Sequence, residues 1–200
     1  MKTSIQKVNV KFIFIIFLFL FSFLERTIWD MGANIELLTS ALILSTYFLN
    51  SKKTFWLVLL TIALSDLIIG NTNIFLFTWS GFLIPAFFSG FVIKKLIINH
   101  KSRITKKIFG ASALMLTGLS TNIFFYIWTN FGVWLLDTWG MYSNDFAGLI
   151  RCYINALPFL KNQFLSSIIF IPMGFFAIEI LLKYLPDKIK LVNRSFMTNH

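Results

Sequence analysis

"VNVKFIFIIFLFLFSFLE", residues 8–25, decides how the rest of the chain is read. A basic flank of Lys2, Lys7 and Lys11 runs into an unbroken apolar segment of Phe, Ile and Leu. The pattern resembles a secretory signal, yet Ser22-Phe23-Leu24-Glu25 puts bulky residues where cleavage needs small ones. The stretch therefore reads as an uncleaved first transmembrane helix, with Lys11 snorkelling to the inner surface.

Composition extends that reading to the whole chain. Of 200 residues, 57% are hydrophobic, 25 are Phe and only 13% are charged, which lies outside the range of soluble globular domains. A formal charge of +10 in a soluble chain would suggest nucleic acid. Here the basic residues stand in short clusters between apolar runs, as in cytoplasmic loops, so no nucleic-acid partner is expected. One Cys leaves no internal disulfide, and two His with one Cys have no metal-ligand spacing, so neither metal nor cofactor is expected.

A hydrocarbon core of about 30 Å needs about 20 apolar residues, or about 17 with snorkelling flanks. Six segments meet that length: residues 8–25, 35–50, 54–70, 75–98, 106–128 and 163–183. The expected fold is all-α, a polytopic integral membrane protein in which residues 1–200 form a single membrane domain of six transmembrane helices. With the N-terminus inside, the cytoplasmic side receives Lys2, Lys7, Lys11, Lys52, Lys53, Lys94, Lys95, Lys101, Arg103, Lys106, Lys107, Lys183, Lys188, Lys190 and Arg194. The outer side keeps Arg26, Arg151 and Lys161 and collects Glu25, Asp30, Glu36, Asp137 and Asp145. This asymmetry places the chain in the cell (cytoplasmic) membrane as a multi-pass protein with both termini cytoplasmic.

A near-repeat marks where polar groups enter the membrane. "TNIFLFTW" at residues 72–79 returns as "TNIFFYIW" at 121–128, and both continue to a hydroxyl residue and a Phe. In the six-helix topology the first copy opens helix 4 and the second closes helix 5, so they run antiparallel. That is neither a parallel repeat nor an inverted one covering whole helix groups. It does predict Asn73 level with Trp128, and Trp79 level with Asn122, about 9 Å apart along the helices.

Other polar residues gather at the same end. Helix 3 closes as "ALSDLIIGNTN", with Asp66 about one turn inside the boundary and Asn71 in the turn beyond. An ionisable group at that depth is costly, so Asp66 is expected to face the interior or a wet cavity, or else to cap the Gly70–Asn73 turn. Glu36 stands in the first turn of helix 2, where a carboxylate suits the helix dipole.

Residues 129–162 are too long for a turn and too broken to span. Trp134, Trp139 and Tyr142 take interfacial positions, and residues 145–157 follow a helical pattern. Phe146, Leu149, Ile150, Tyr153, Ile154 and Leu157 share one side, with Asp145, Arg151 and Asn155 largely opposite. An extra outer amphipathic or re-entrant helix is expected around 145–158, ended by Pro158 and lying on the surface or over a cavity as a lid.

Within this region "ALSDLIIG", "TNFGVWL" and "GLIRCYINALPFLKN" resemble an uncharacterised prokaryotic family of small polytopic transport proteins. The specific part is the Cys-Tyr, Pro-Phe and Asn spacing from Cys152 to Asn162, and the resemblance runs from about residue 30 to 180. That family is in turn similar to the substrate-binding S components of energy-coupling-factor (ECF) vitamin transporters. Two departures stand out: Asn34-Ile35-Glu36-Leu37 replaces an Asn-Phe-x-Pro pattern, and Ser166-Ser167 follows Asn162 in place of Gly-Asp. A small-residue ridge that would suit helix docking is Ala41-x-x-x-Ser45 on helix 2, which equally suits internal packing.

The resemblance implies an S-component-like subunit that binds a small, vitamin-like solute from the outer face between helices 2 to 5. Trp79 and Trp128 would stack on a planar ligand, with Asp66, Asn71, Asn73, Asn122, Asn130, Trp134 and Asn155 completing the substrate-binding set. No phosphate-binding GxxxxGK[ST] loop occurs, so any ATP-driven step belongs to a coupling module in separate chains. The alternative is a non-transporting scaffold for envelope-assembly partners, in which those polar side chains pack on one another. An enzyme is not expected. Cys152 lies outside in this topology and His100 and His200 inside, which parts any nucleophile from its base.

Overall fold

A computed structural model describes residues 2–29, 35–70, 73–97, 103–136 and 140–197. Six α-helices follow one another: α1 (Lys2–Leu24), α2 (Leu38–Phe48), α3 (Ser51–Ile69), α4 (Phe75–Ile97), α5 (Arg103–Leu136) and α6 (Phe146–Met197). A π-helical turn, Glu25–Trp29, extends α1. No strand occurs among the described residues.

Among the described residues four stretches are long and apolar enough to cross a membrane: Val10–Trp29, Phe75–Leu96, Ile108–Leu136 and Phe146–Tyr184. The other two of the six expected spans, α2 and α3, do not meet that combination of length and apolar composition. The 19-residue α3 carries Lys52, Lys53 and Asp66. The 11 residues of α2 extend only about 16 Å. Every residue from Leu38 to Thr46 is buried, and α2 contacts each of the other five helices. A helix buried on all sides with no charged residue belongs in a core, and α2 sits at the core of this bundle.

Local signals explain several boundaries. Asn50 caps α3 by accepting the Lys53 amide at 2.9 Å. Gly70, at φ 82°, ends it in a conformation other residues rarely adopt, while its own amide donates to Asp66 O at 3.0 Å. Asp145 caps α6 by accepting the Gly148 amide at 2.7 Å and the Ser143 hydroxyl at 2.8 Å. These bonds, the Gly148 amide foremost, hold its carboxyl below the usual carboxylate range.

The region from 129 to 162 is organised differently from the sequence expectation. Residues 129–136 are the last turns of α5, and the helix around 145–158 continues without a break through Pro158 into the segment read as 163–183. Pro158 is therefore a helix-interior proline and not a terminator, as Pro85 is in α4. Packed neighbouring helices let such a segment continue where an isolated one would break. The fifty-two residues of α6 extend about 78 Å, packed antiparallel along α5.

Hydroxyl pairs tie α2 to its neighbours. Ser45 and Thr54 lie 2.8 Å apart across α2–α3, and Ser89 of α4 donates to Thr46 at 3.2 Å. The Ala41-x-x-x-Ser45 ridge is thus internal packing. The outside of the bundle is apolar, with Phe17, Leu20, Leu67, Phe87, Phe91 and Ile154 all exposed, as a lipid-facing surface requires.

Candidate functional site

Three carboxylates are buried at one end of the bundle: Glu25 in the π-helical turn, Glu36 in the connector before α2, and Asp66 in the last turn of α3. Arg26 packs among them. Its Nη2 donates to Asp66 Oδ1 at 3.1 Å and its Nε to Ser65 Oγ at 3.0 Å. The second oxygen of Asp66 accepts the Trp79 indole N–H at 2.6 Å. With side-chain exposures of 14% for Arg26 and 8% for Asp66, the pair is largely removed from solvent, and both carboxylate oxygens are satisfied. Adjacent positions on α3 deliver Ser65 and Asp66 together. The π-helical turn sets Arg26 against them, a local geometry common at functional sites.

Glu36 differs from Asp66. Burial pushes its carboxyl up to about 7; the Arg26 guanidinium opposes that shift, Glu25 adds to it, and the Thr39 hydroxyl opposes it. Thr39 donates to Oε1 at 3.2 Å. The cluster therefore holds one ion pair in place and one carboxyl that exchanges a proton near neutrality. No group of three or more His, Cys, Asp or Glu among the described residues is arranged to hold a metal ion.

Trp128 belongs to a separate constellation. It donates to Ser80 Oγ at 2.8 Å and packs with Phe124, Phe131 and Phe77, whose ring centroids lie 6.3, 6.4 and 5.1 Å away. Successive α4 residues project about 100° apart, so Trp79 serves α3 while Ser80 receives α5. The two indoles do not face a shared ligand slot, and each N–H is used inside the bundle. The level pairing of Asn73 with Trp128 is likewise corrected: Trp128 meets Ser80, seven positions or about 10 Å further along α4. Gly132 against Phe77 and Gly81 against Phe125 mark the same register.

The remaining expected site residues disperse. Asn122, fully buried, donates through Nδ2 to Gln163 O at 2.9 Å and Ser167 Oγ at 2.8 Å on α6. Its Oδ1 has no partner, nor do the buried hydroxyls of Ser40 and Ser166. Asn130 donates to Tyr126 O at 2.7 Å within its own helix, and its carbonyl accepts the thiol of buried Cys152 at 3.3 Å. Trp134 donates to Ser143 O at 3.1 Å. Asn155 is exposed, 3.5 Å from the Tyr142 hydroxyl, and Asn73 is exposed in the turn before α4. Asn71 lies outside the described residues.

Arg26 is the residue that sequence reasoning missed, having only counted it among the charges on the outer side. The signal was available, because a carboxylate at membrane depth needs a cation at the same depth. Arg26 ends the apolar helix that the topology brings to that level.

The family of unknown function DUF6580 matches residues 6–188. The chain belongs to the DUF6580 family. The DUF6580 match takes in the charge cluster, the Trp128 constellation and Asn122 alike. No curated protein and no solved structure matches the chain.

Proposed function

We propose that this DUF6580 protein is a membrane-embedded binding subunit for uptake of a small solute, similar in role to the S components of ECF transporters. The observation that supports it is the burial of three carboxylates, with a largely enclosed guanidinium among them, at one end of the bundle. Ionisable groups at such depth are expensive and mark solute or ion pathways more often than packing. The charge bias along the chain supports an orientation with both termini cytoplasmic and the cluster near the outer face. The bilayer is the immediate partner, and ATP hydrolysis would come from separate chains. Labelling single cysteines at Lys53 and Asn155 in a Cys152→Ser background tests the orientation: position 155 should react from outside, position 53 only after permeabilisation.

A scaffold for envelope-assembly partners is the second reading. What favours it is that Asp66, Trp79, Trp128, Asn122 and Asn130 make their hydrogen bonds within the bundle. Mass spectrometry of small molecules retained by gently purified protein separates the two. A solute carried by wild type and lost from Asp66→Ala supports uptake, and identical backgrounds in both support the scaffold.

A further inference from the structure

Asp66 stands in the last turn of α3, and the first turn of the same helix carries Lys52 and Lys53 at the end that the charge bias marks as cytoplasmic. There Lys11 of α1 holds its Nζ 5.6 Å from the ring centroid of Phe48, the last residue of α2. Lys53 in turn holds its Nζ 5.8 Å from the ring of Phe12 on α1. These crossed contacts bring two ammonium groups to one corner between α1, α2 and α3, with exposed Lys52 beside them. A ring face attracts an ammonium without neutralising it. The acidic side chain of these three helices is Asp66, at the far end and paired with Arg26. Among the described residues, Glu179 included, no carboxylate comes within ion-pairing distance of Lys11, Lys52 or Lys53.

The surface that continues from these cations is apolar and exposed. Phe12, Ile16 and Leu20 recur every fourth residue along α1, and Trp56, Leu60 and Leu64 do so along α3 from one turn after Lys52. Residues four apart stand one above another on a helix, so each stripe leads away from the lysines toward the opposite leaflet. Helices α1 and α3 are in contact, and the approach of Lys53 to Phe12 sets the heads of the two stripes side by side. Lys11 is the second residue of the apolar stretch Val10–Trp29, which puts the ammonium groups at head-group level.

We propose that this corner binds one anionic phospholipid of the adjoining leaflet, with its phosphate at Lys11, Lys52 and Lys53 and its acyl chains along the two stripes. A free phosphate ion would meet the same charges and leave the stripes unused. A zwitterionic lipid suits the stripes, yet its own cation is repelled by three ammonium groups without counterions. An anionic lipid satisfies both, and basic pockets between helices at the cytoplasmic face recognise such head groups. The site lies apart from the carboxylate cluster and stands whether the protein takes up a solute or organises partners.

The test is native mass spectrometry of the full chain in detergent, offered equal amounts of phosphatidylglycerol and phosphatidylcholine with matched acyl chains. Each lysine near an anionic surface strengthens binding about fivefold. Wild type should therefore retain phosphatidylglycerol in preference to phosphatidylcholine, and Lys11→Gln with Lys53→Gln should weaken that lipid about 30-fold. Lys52→Gln, at an exposed position, should weaken it about fivefold by itself. Lys11→Arg with Lys53→Arg keeps the charge and should keep most of the lipid. As a comparison, Lys94→Gln with Lys95→Gln removes the same charge from the last turn of α4 and should cost less than about fivefold. Phosphatidylglycerol should also raise the thermal midpoint of wild type more than that of the Lys11→Gln, Lys53→Gln variant, whose lipid-free midpoint certifies its fold. Equal retention of the two lipids, or equal losses from the two paired Gln variants, would overturn the proposal. Displacement of the lipid by millimolar inorganic phosphate would assign the corner to a free anion and overturn it as well.

Discussion

Trp128 of α5 donates its indole N–H to Ser80 of α4 at 2.8 Å, and that bond fixes the register of two antiparallel helices. One turn further along α5, Gly132 lies so close to Phe77 that an added Cβ would meet three of its ring atoms. The indole, Phe77 and Phe131 form a continuous aromatic layer that exists because position 132 has no side chain.

Gly132→Ala should therefore force the Phe77 ring aside and destabilise the protein by about 1–3 kcal/mol. Phe77→Leu should recover much of the loss in the double variant. Thermal unfolding in one detergent across the cycle checks this, and strict additivity of the two changes would contradict the contact.

Breaking the Arg26–Asp66 pair from either side leaves a buried charge without its partner. Asp66→Ala or Arg26→Ala alone should cost about 3–5 kcal/mol, while Arg26→Met with Asp66→Leu should be near neutral. A loss in the double variant equal to the sum of the two single losses would show that the two residues do not depend on one another. Since Trp79 also bonds Asp66, its fluorescence should shift in Asp66→Ala.

Glu36 predicts the pH profile. Its carboxyl is raised from 4.5 to about 7, so the folded protein binds a proton that the unfolded chain releases between those values. The folded state gains from the protonated form. Stability should be highest below about pH 4.5 as far as this group is concerned, and fall as pH rises to about 7. Glu36→Gln should flatten that decline, and an unchanged slope would assign it to another group.

Pro158 stands inside a continuous helix without an amide proton to donate. Replacing it with Ala restores the donor and should raise the thermal midpoint, by up to about 3 kcal/mol in stability. A fall would mean that the proline ring packs usefully where it sits.

Much of the fold was legible because it follows from composition and spacing alone. The cost of an unpaired backbone in lipid makes a long apolar run a helix, so six helices in order, and boundaries such as 54–70 against Ser51–Ile69, came from residue type. That Asp66 would face the interior was legible as well, because an ionisable group in an apolar helix is costly to leave facing lipid. Where local signals compete with packing, the sequence was insufficient. Pro158 reads as a helix end until the helix is seen to continue through it against α5, and α2 reads as a span until its 11 residues are seen enclosed by five helices.

What the amino-acid sequence determined by itself is an α-helical membrane protein with its basic groups clustered between apolar runs, since transfer energies belong to individual residues. Only the tertiary structure decided the partners: Arg26 with Asp66 across 40 positions, Trp128 with Ser80 across 48, Asn122 with Ser167 across 45. Such pairings depend on helix register and rotation, and these come from side chains such as Phe77 and Leu44 fitting against glycines on another helix.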